Sequence, residues 1–225
     1  MKVRIIAVIL CLTLISLPLG CANVMEEHKG AAVGTGVGGA IVIDGDLYRG
    51  MSGLAGEIGH MTIDMNGRDC ACGAKGCLER YVGNRFIVEN AVSRLSKRGK
   101  EQSVTLDLVQ NKLELLTPKV LSEAAYMGDR IALDVWRETG KYIGVILATL
   151  VNVLNPECFI IGGGVANAGK VLFEPMRQTM EALAMNEVGK STPIFQAGLK
   201  QDAGIIGAAT FAMKYLEKNA YRSSR

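Results

Sequence analysis

Aromatic side chains are scarce in this sequence, at 5% of residues with a single tryptophan. No basic stripe interleaved with aromatics is present, which leaves no footprint for nucleic-acid binding. Net charge is nearly absent as well, at +3 with acids and bases spread along the chain. The largest basic cluster is the tail from Lys214 to Arg225, which reads as a solvated end. No internal repeat and no low-complexity linker occur, and no Gly-Lys-Ser/Thr directly follows the run Gly34–Gly39, so that run is not a Walker loop. The apolar run Ile5 to Leu19 falls short of the roughly 20 residues needed to span a bilayer. What is abundant is glycine, 27 residues of 225, on a background 49% apolar. That profile is globular, and glycine enrichment with few aromatics suits an α/β protein with tight loops.

The amino terminus supports two readings with opposite redox demands. Basic Met1–Arg4, the apolar run and Gly20-Cys21 resemble an export signal, or a lipoprotein signal with Cys21 lipidated. Alternatively, Val3, Ile5, Ile6 and Val8 are β-branched and begin a buried strand. Six cysteines are present, and Cys70, Cys72 and Cys77 crowd near His60. Such thiols persist as metal ligands in a reducing compartment, so a cytoplasmic location is expected, with export or lipid anchoring through residues 1–21 as the alternative.

Strand and helix signals alternate along the chain, as in an α/β fold. Ala40–Ile43 and Leu47–Arg49 flank Asp44-Gly45-Asp46 and predict a hairpin. From Leu78 the apolar residues Ile87, Val88, Ala91, Val92 and Leu95 recur at helical spacing. Helices are also expected over Thr105–Leu116, from a Thr117-Pro118 cap to Met127, and over Arg130–Leu154, where Asn155-Pro156 stops the last. Cys158–Ile161 reads as a buried strand, Gly169–Ala184 as a helix, Thr192–Phe195 as a strand and Gly204–Leu216 as a closing helix.

Four motifs carry chemistry. His60, Cys70, Cys72 and Cys77 form a His-x9-Cys-x-Cys-x4-Cys set, the four nitrogen and sulfur ligands of a closed, structural zinc site. Gly34-Thr35-Gly36-Val37-Gly38-Gly39 precedes a strand and exposes backbone N–H groups to an anion, or forms a plain glycine hairpin. Gly162-Gly163-Gly164 ends a strand and precedes a helix, a place where ligands gather in open α/β sheets, or is only a tight turn. Glu57 and Glu79 bracket the metal loop, and carboxylates accept sugar hydroxyls well.

Together and in this order, Ala55–His60, Cys70–Glu79, Gly34–Gly39, Leu154–Gly164 and Asp202–Ala209 resemble the ROK family of sugar kinases and sugar-responsive repressors. The resemblance implies an actin-like ATPase (ribonuclease H-like) fold of two α/β domains, of which this chain carries mainly the carboxy-terminal one. Residues 30–216 would be that domain, with the zinc loop at 57–79, an atypical segment at 1–29 and a basic tail at 217–225. It implies ATP-dependent phosphorylation of a hexose, most often glucose, to the 6-phosphate. Zinc would be held by His60, Cys70, Cys72 and Cys77. Glu57, His60 and Glu79 would meet sugar hydroxyls, and Gly34, Thr35, Gly36 and Gly162–Gly164 would lie along ATP and its magnesium. Family members usually form homodimers.

Two family features have no counterpart in the motifs. The Asp-x-Gly-Gly-Thr phosphate loop is absent from the sequence. The Asn-Asp pair, whose aspartate serves as general base, aligns with Gly20-Cys21, and a thiol is a poor substitute for that carboxylate. The resemblance therefore supports descent from a kinase more than turnover. The alternatives are the sugar-binding half of a regulator, although no helix-turn-helix motif is evident, or an inactive fragment stabilised by zinc.

Overall fold

The structure, a computed structural model, describes residues 5–11, 36–97 and 103–198. The expected roles of Cys21, Gly34 and Thr35, the closing helix 204–216 and the basic tail fall outside these residues. Among the described residues, five strands form one mixed sheet: Ile5–Cys11 (β1), Gly38–Ile43 (β2), Asp46–Tyr48 (β3), Phe159–Gly162 (β4) and Ile194–Gln196 (β5). Their order is β3-β2-β1-β4-β5. Strand β1 lies in the middle, antiparallel to β2 and parallel to β4. Removal of the first eleven residues would therefore take out the sheet's central strand.

The hairpin between β2 and β3 turns at Asp44 and Gly45, with φ of 50° and 82°. Both values lie in the left-handed region that a two-residue hairpin turn of this hand demands, which explains the glycine. Strand register sets the relation between the two glycine segments. Cys11 pairs with Gly38 on one side and with Gly162 on the other. The two segments thus open at the same end of the sheet, separated by one strand, or about 10 Å at two strand spacings.

The helices follow local signals closely, with two exceptions. The helix expected from Leu78 is two pieces, Glu79–Val82 (α1) and Asn84–Lys97 (α2), divided at Gly83. The predicted helix 105–116 stops early. Helix α3 spans Val104–Leu108, and only a 3-10 turn at Leu113–Leu115 comes after it. Gln110 and Asn111 both take positive φ, at 52° and 59°, and the α-helical ladder cannot pass through them. Thr117 caps Pro118–Tyr126 (α4) by accepting the Val120 amide at 3.2 Å. Arg130–Leu154 (α5) ends on Asn155 in the left-handed conformation, a standard helix stop. Lys170–Leu183 (α6) and a short helix at Asn186–Ser191 (α7), the latter not foreseen, are the last helices among the described residues.

The core gathers around α5. Trp136, Val135, Ile143, Ile146 and Leu147 are buried there, against Leu121 of α4, Ile87 of α2 and Phe159 and Ile161 of β4. Helix α6 packs unusually close to α5. A Cβ on Gly140 or on Gly144 would come within 2.6 Å of the Leu172 or Met176 carbonyl oxygen of α6. Glycine at two positions one turn apart lets the backbones meet. No helix among the described residues is long and apolar enough to cross a membrane.

Candidate metal centre and ligand face

The loop from Glu57 to Glu79 folds on itself through backbone bonds. A 3-10 turn at Ile58–His60 presents the histidine, with the His60 amide on the Glu57 carbonyl at 3.1 Å. The chain then runs out and returns: Ile63 N donates to Gly76 O (2.9 Å), and Leu78 N to Met61 O (2.9 Å). Between them, Cys70 N donates to Ala74 O (2.8 Å) and Gly73 N to Cys70 O (3.0 Å), closing a tight knuckle. Gly76 has φ 67°, and a Cβ there would overlap the Asp64 carbonyl. Only glycine fits that crossing.

This folding brings four ligands together from three places in the loop. One atom each of His60, Cys70, Cys72 and Cys77 lies within 4.8 Å of all the others. His60 Nδ1 is 3.7 Å from Cys70 Sγ, and Cys72 Sγ is 3.6 Å from Cys77 Sγ. A tetrahedral ion with bonds of about 2.3 Å to sulfur and about 2.0 Å to nitrogen separates its ligands by about 3.5–3.8 Å. The spacing therefore fits zinc. Cys77 is fully buried, Cys70 nearly so and Cys72 exposed. Hydrogen bonding from the Ala74 amide and then from Cys70 draws the Cys72 thiol down to about 7, while burial and the neighbouring thiols push Cys77 up to about 12. A divalent cation at the centre would reverse the second effect, because it binds the thiolate.

Tyr81 of α1 braces the loop, and no motif pointed to it. Its hydroxyl accepts from the Arg68 amide (3.1 Å) and donates to Asp64 Oδ2 (3.4 Å), while Arg68 Nη1 donates to the Arg80 carbonyl (2.9 Å). The Tyr81 ring also meets Tyr142 of α5 with centroids 4.8 Å apart. Loop, helix and core are tied through one phenol. A tyrosine four residues after Cys77 carries no signal of its own in the sequence.

Glu79 begins α1, directly after the Cys77-Leu78 step. Its Oε2 accepts the Val37 amide at 3.0 Å, and a Cβ on Gly36 would approach the same oxygen to 2.5 Å. The carboxylate thus joins the metal loop to the glycine segment that enters β2. A Cβ on Gly59 would overlap the Val37 carbonyl, so the His60 turn also rests on this segment. Glu57 is exposed beside that turn. At the far side of β1, Gly163 takes φ 88° and Gly164–Ala168 form a 3-10 segment leading into α6. Gly36, Glu79 and His60 thus lie to one side of β1 at this end of the sheet, and Gly162–Gly164 to the other.

Comparison with known proteins gives the family and the fold. The ROK family model matches residues 20–215. A glucokinase of Halalkalibacterium halodurans is 42% identical over 176 residues, 78% of this chain and 52% of that protein. A xylose repressor of Caldicellulosiruptor bescii is 32% identical over 78% of this chain and 43% of its own length. Among solved structures, a ROK family glucokinase from Streptomyces griseus in complex with glucose and AMPPNP superposes with a TM-score of 0.74 at 30% identity, covering 91% of this chain and 59% of that one. The chain spans about half the length of the relatives it matches. The fold is that of the actin-like ATPase sugar kinases.

Proposed function

We propose that this chain, which belongs to the ROK family, is the sugar- and nucleotide-holding part of an ATP-dependent hexose kinase, with glucose as the sugar and glucose 6-phosphate as the product. The observation that carries this reading is the shared face: Glu79 bonds the segment entering β2, and the register places that segment and Gly162–Gly164 at one end of the sheet. A sugar held by Glu57, His60 and Glu79 would lie beside phosphates held by backbone amides.

His60, Cys70, Cys72 and Cys77 would hold zinc. With four protein ligands no position stays open for water, so the ion's contribution is structural. His60 turns Nδ1 toward Cys70. Its other ring nitrogen is left for a sugar hydroxyl, so that one side chain serves both partners. The carboxylates of Glu57 and Glu79 accept further hydroxyls. The amides of Gly34–Gly36 and Gly162–Gly164 would face the phosphates of magnesium–ATP. The catalytic base is unassigned. Cys21 aligns with the family's aspartate, and a thiol there makes phosphoryl transfer slow rather than abolishing ligand binding. The thiol cluster fits a reducing, cytoplasmic setting, and a homodimer is the expected assembly.

The test is glucose binding by calorimetry together with glucose-dependent ADP formation by the purified chain. The proposal expects binding and a slow rate above the sugar-free background. Absence of both would refute it. A second reading, the ligand-binding part of a sugar-responsive regulator, is favoured by the repressor relative, which matches as much of this chain as the glucokinase does. Sugar binding with no ADP formation would select that reading.

A further inference from the structure

Beside the nucleotide-side glycines stands an exposed side chain with no place in the core. Tyr126 ends α4 with 60% of its surface exposed. Its hydroxyl nevertheless makes two hydrogen bonds across a glycine: it donates to Ala168 O at 2.8 Å and accepts from Lys170 N at 3.1 Å. Gly169 lies between them at φ 63° and ψ −136°, and a Cβ there would come 2.8 Å from the phenol oxygen. The hydroxyl fills the space that a side chain at 169 would take. It bridges the joint where the 3-10 segment Gly164–Ala168 passes into α6. A second exposed side chain, Gln196 of β5, donates to Ala166 O at 3.1 Å.

The anchor is fixed by its own hydrogen bonds, and the anchored segment starts from a run of glycines. Helix α4 closes with Gly128 N on Ala125 O (3.0 Å) and Asp129 N on Ala124 O (2.9 Å), with Gly128 at φ 89°. Asp129 then caps α5 through the Ala132 amide, so the corner is fixed on both sides. The segment from Gly162 begins with three consecutive glycines, the residues with most backbone freedom to lose. An unanchored loop of this kind would have to be ordered when a ligand binds, at the expense of affinity.

We propose that Tyr126 is a positioning residue for the nucleotide: its hydroxyl sets the backbone of residues 162–170 so that the amides there are aligned for the phosphates of ADP or ATP. The proposal rests on the nucleotide-side reading given above. Because the ring is exposed and only the hydroxyl bonds the loop, the effect belongs to one oxygen atom.

Tyr126→Phe removes that atom and keeps the ring. The measurement is titration of magnesium–ADP carrying a fluorescent ribose label, with glucose affinity, zinc content and far-UV spectrum recorded on the same protein. The Kd for the labelled ADP should rise about tenfold, as the loss of two modest hydrogen bonds implies. Glucose affinity, zinc content and spectrum should not change, and Gln196→Ala should weaken the nucleotide in the same direction. Binding by Tyr126→Phe as tight as wild type would overturn the proposal. So would a silent Tyr126→Phe beside a weak Tyr126→Ala, since that pattern assigns the effect to ring stacking. Failure of the wild-type chain to bind labelled ADP would refute the nucleotide reading itself, and this proposal with it.

Discussion

Asp129 is the most consequential single carboxylate in the described fold, because it caps two helices at once. Its Oδ1 accepts the Ala132 amide of α5 at 3.0 Å. Its Oδ2 accepts the Ser103 hydroxyl at 2.7 Å and the Thr105 amide of α3 at 2.9 Å. The residue is 6% exposed. Replacement by alanine loses a helix cap, about 1 kcal/mol. It also leaves a buried amide without an acceptor, about 2 kcal/mol more, while the Ser103 hydroxyl can turn elsewhere. The sum is about 3 kcal/mol, or a fall in Tm of about 9 °C for a chain of this size. Asp129→Asn keeps the Ala132 bond but turns an amide donor toward the Thr105 N–H, so its cost should be about 2 kcal/mol. The pH dependence has a fixed sign. Burial alone would raise the carboxyl's pKa, but the Thr105, Ala132 and Ser103 donors outweigh it and hold the value below the ordinary one. The charged carboxylate therefore stabilises the fold fully above the unfolded value of about 3.9, and the contribution is lost as pH falls through the lower folded value. Denaturant melts of wild type and Asp129→Asn from pH 7 to pH 3 measure this. The gap between them should stay constant down to about pH 5 and narrow below 4. A cost under about 1 kcal/mol for alanine, or a gap that ignores pH, would refute the double-cap argument.

The metal loop and the helix pair give two further outcomes. Cys77→Ser replaces the fully buried ligand, so zinc content by elemental analysis should fall well below one per chain and the thermal midpoint should drop, because metal binding is coupled to folding; stoichiometric zinc in that variant would sink the four-ligand assignment. Gly144→Ala drives a methyl against the Met176 carbonyl and Thr179 Cβ, both 2.6 Å away, and should destabilise by about 2 kcal/mol in urea melts, whereas Gly128→Ala meets no neighbour and should show only the strain of its left-handed φ.

The parts of this molecule that were legible in the sequence are those fixed by local chemistry. Thr117-Pro118 and Asn155-Pro156 delimit α4 and α5 where the caps and stops said they would. Asp44-Gly45 turned because a left-handed pair is cheap there. The clustering of His60, Cys70, Cys72 and Cys77 was readable because chelation needs those residue types close in sequence, and the backbone ladder inside the loop brings them together. The helix overextended through Gln110 and Asn111 shows the limit: periodicity continued where backbone conformation did not. What was not legible depends on partners distant in sequence. The bond from Glu79 to Val37 spans 42 residues, that from Tyr126 to Ala168 spans 42, and that from Ser103 to Asp129 spans 26. Each is a single polar contact with no periodic signature. Asp129 could have been read as an N-cap from its place before an apolar helical run, but its second helix could not. The union of the two glycine segments has the same origin. It rests on Cys11 pairing with both Gly38 and Gly162, so the position of the candidate ligand face is a property of strand register, which no segment encodes alone. The candidate site is thus assembled in two ways: a Cys/His knuckle specified locally, and a sheet end specified by pairing, with Glu79 as the side chain that bonds one to the other.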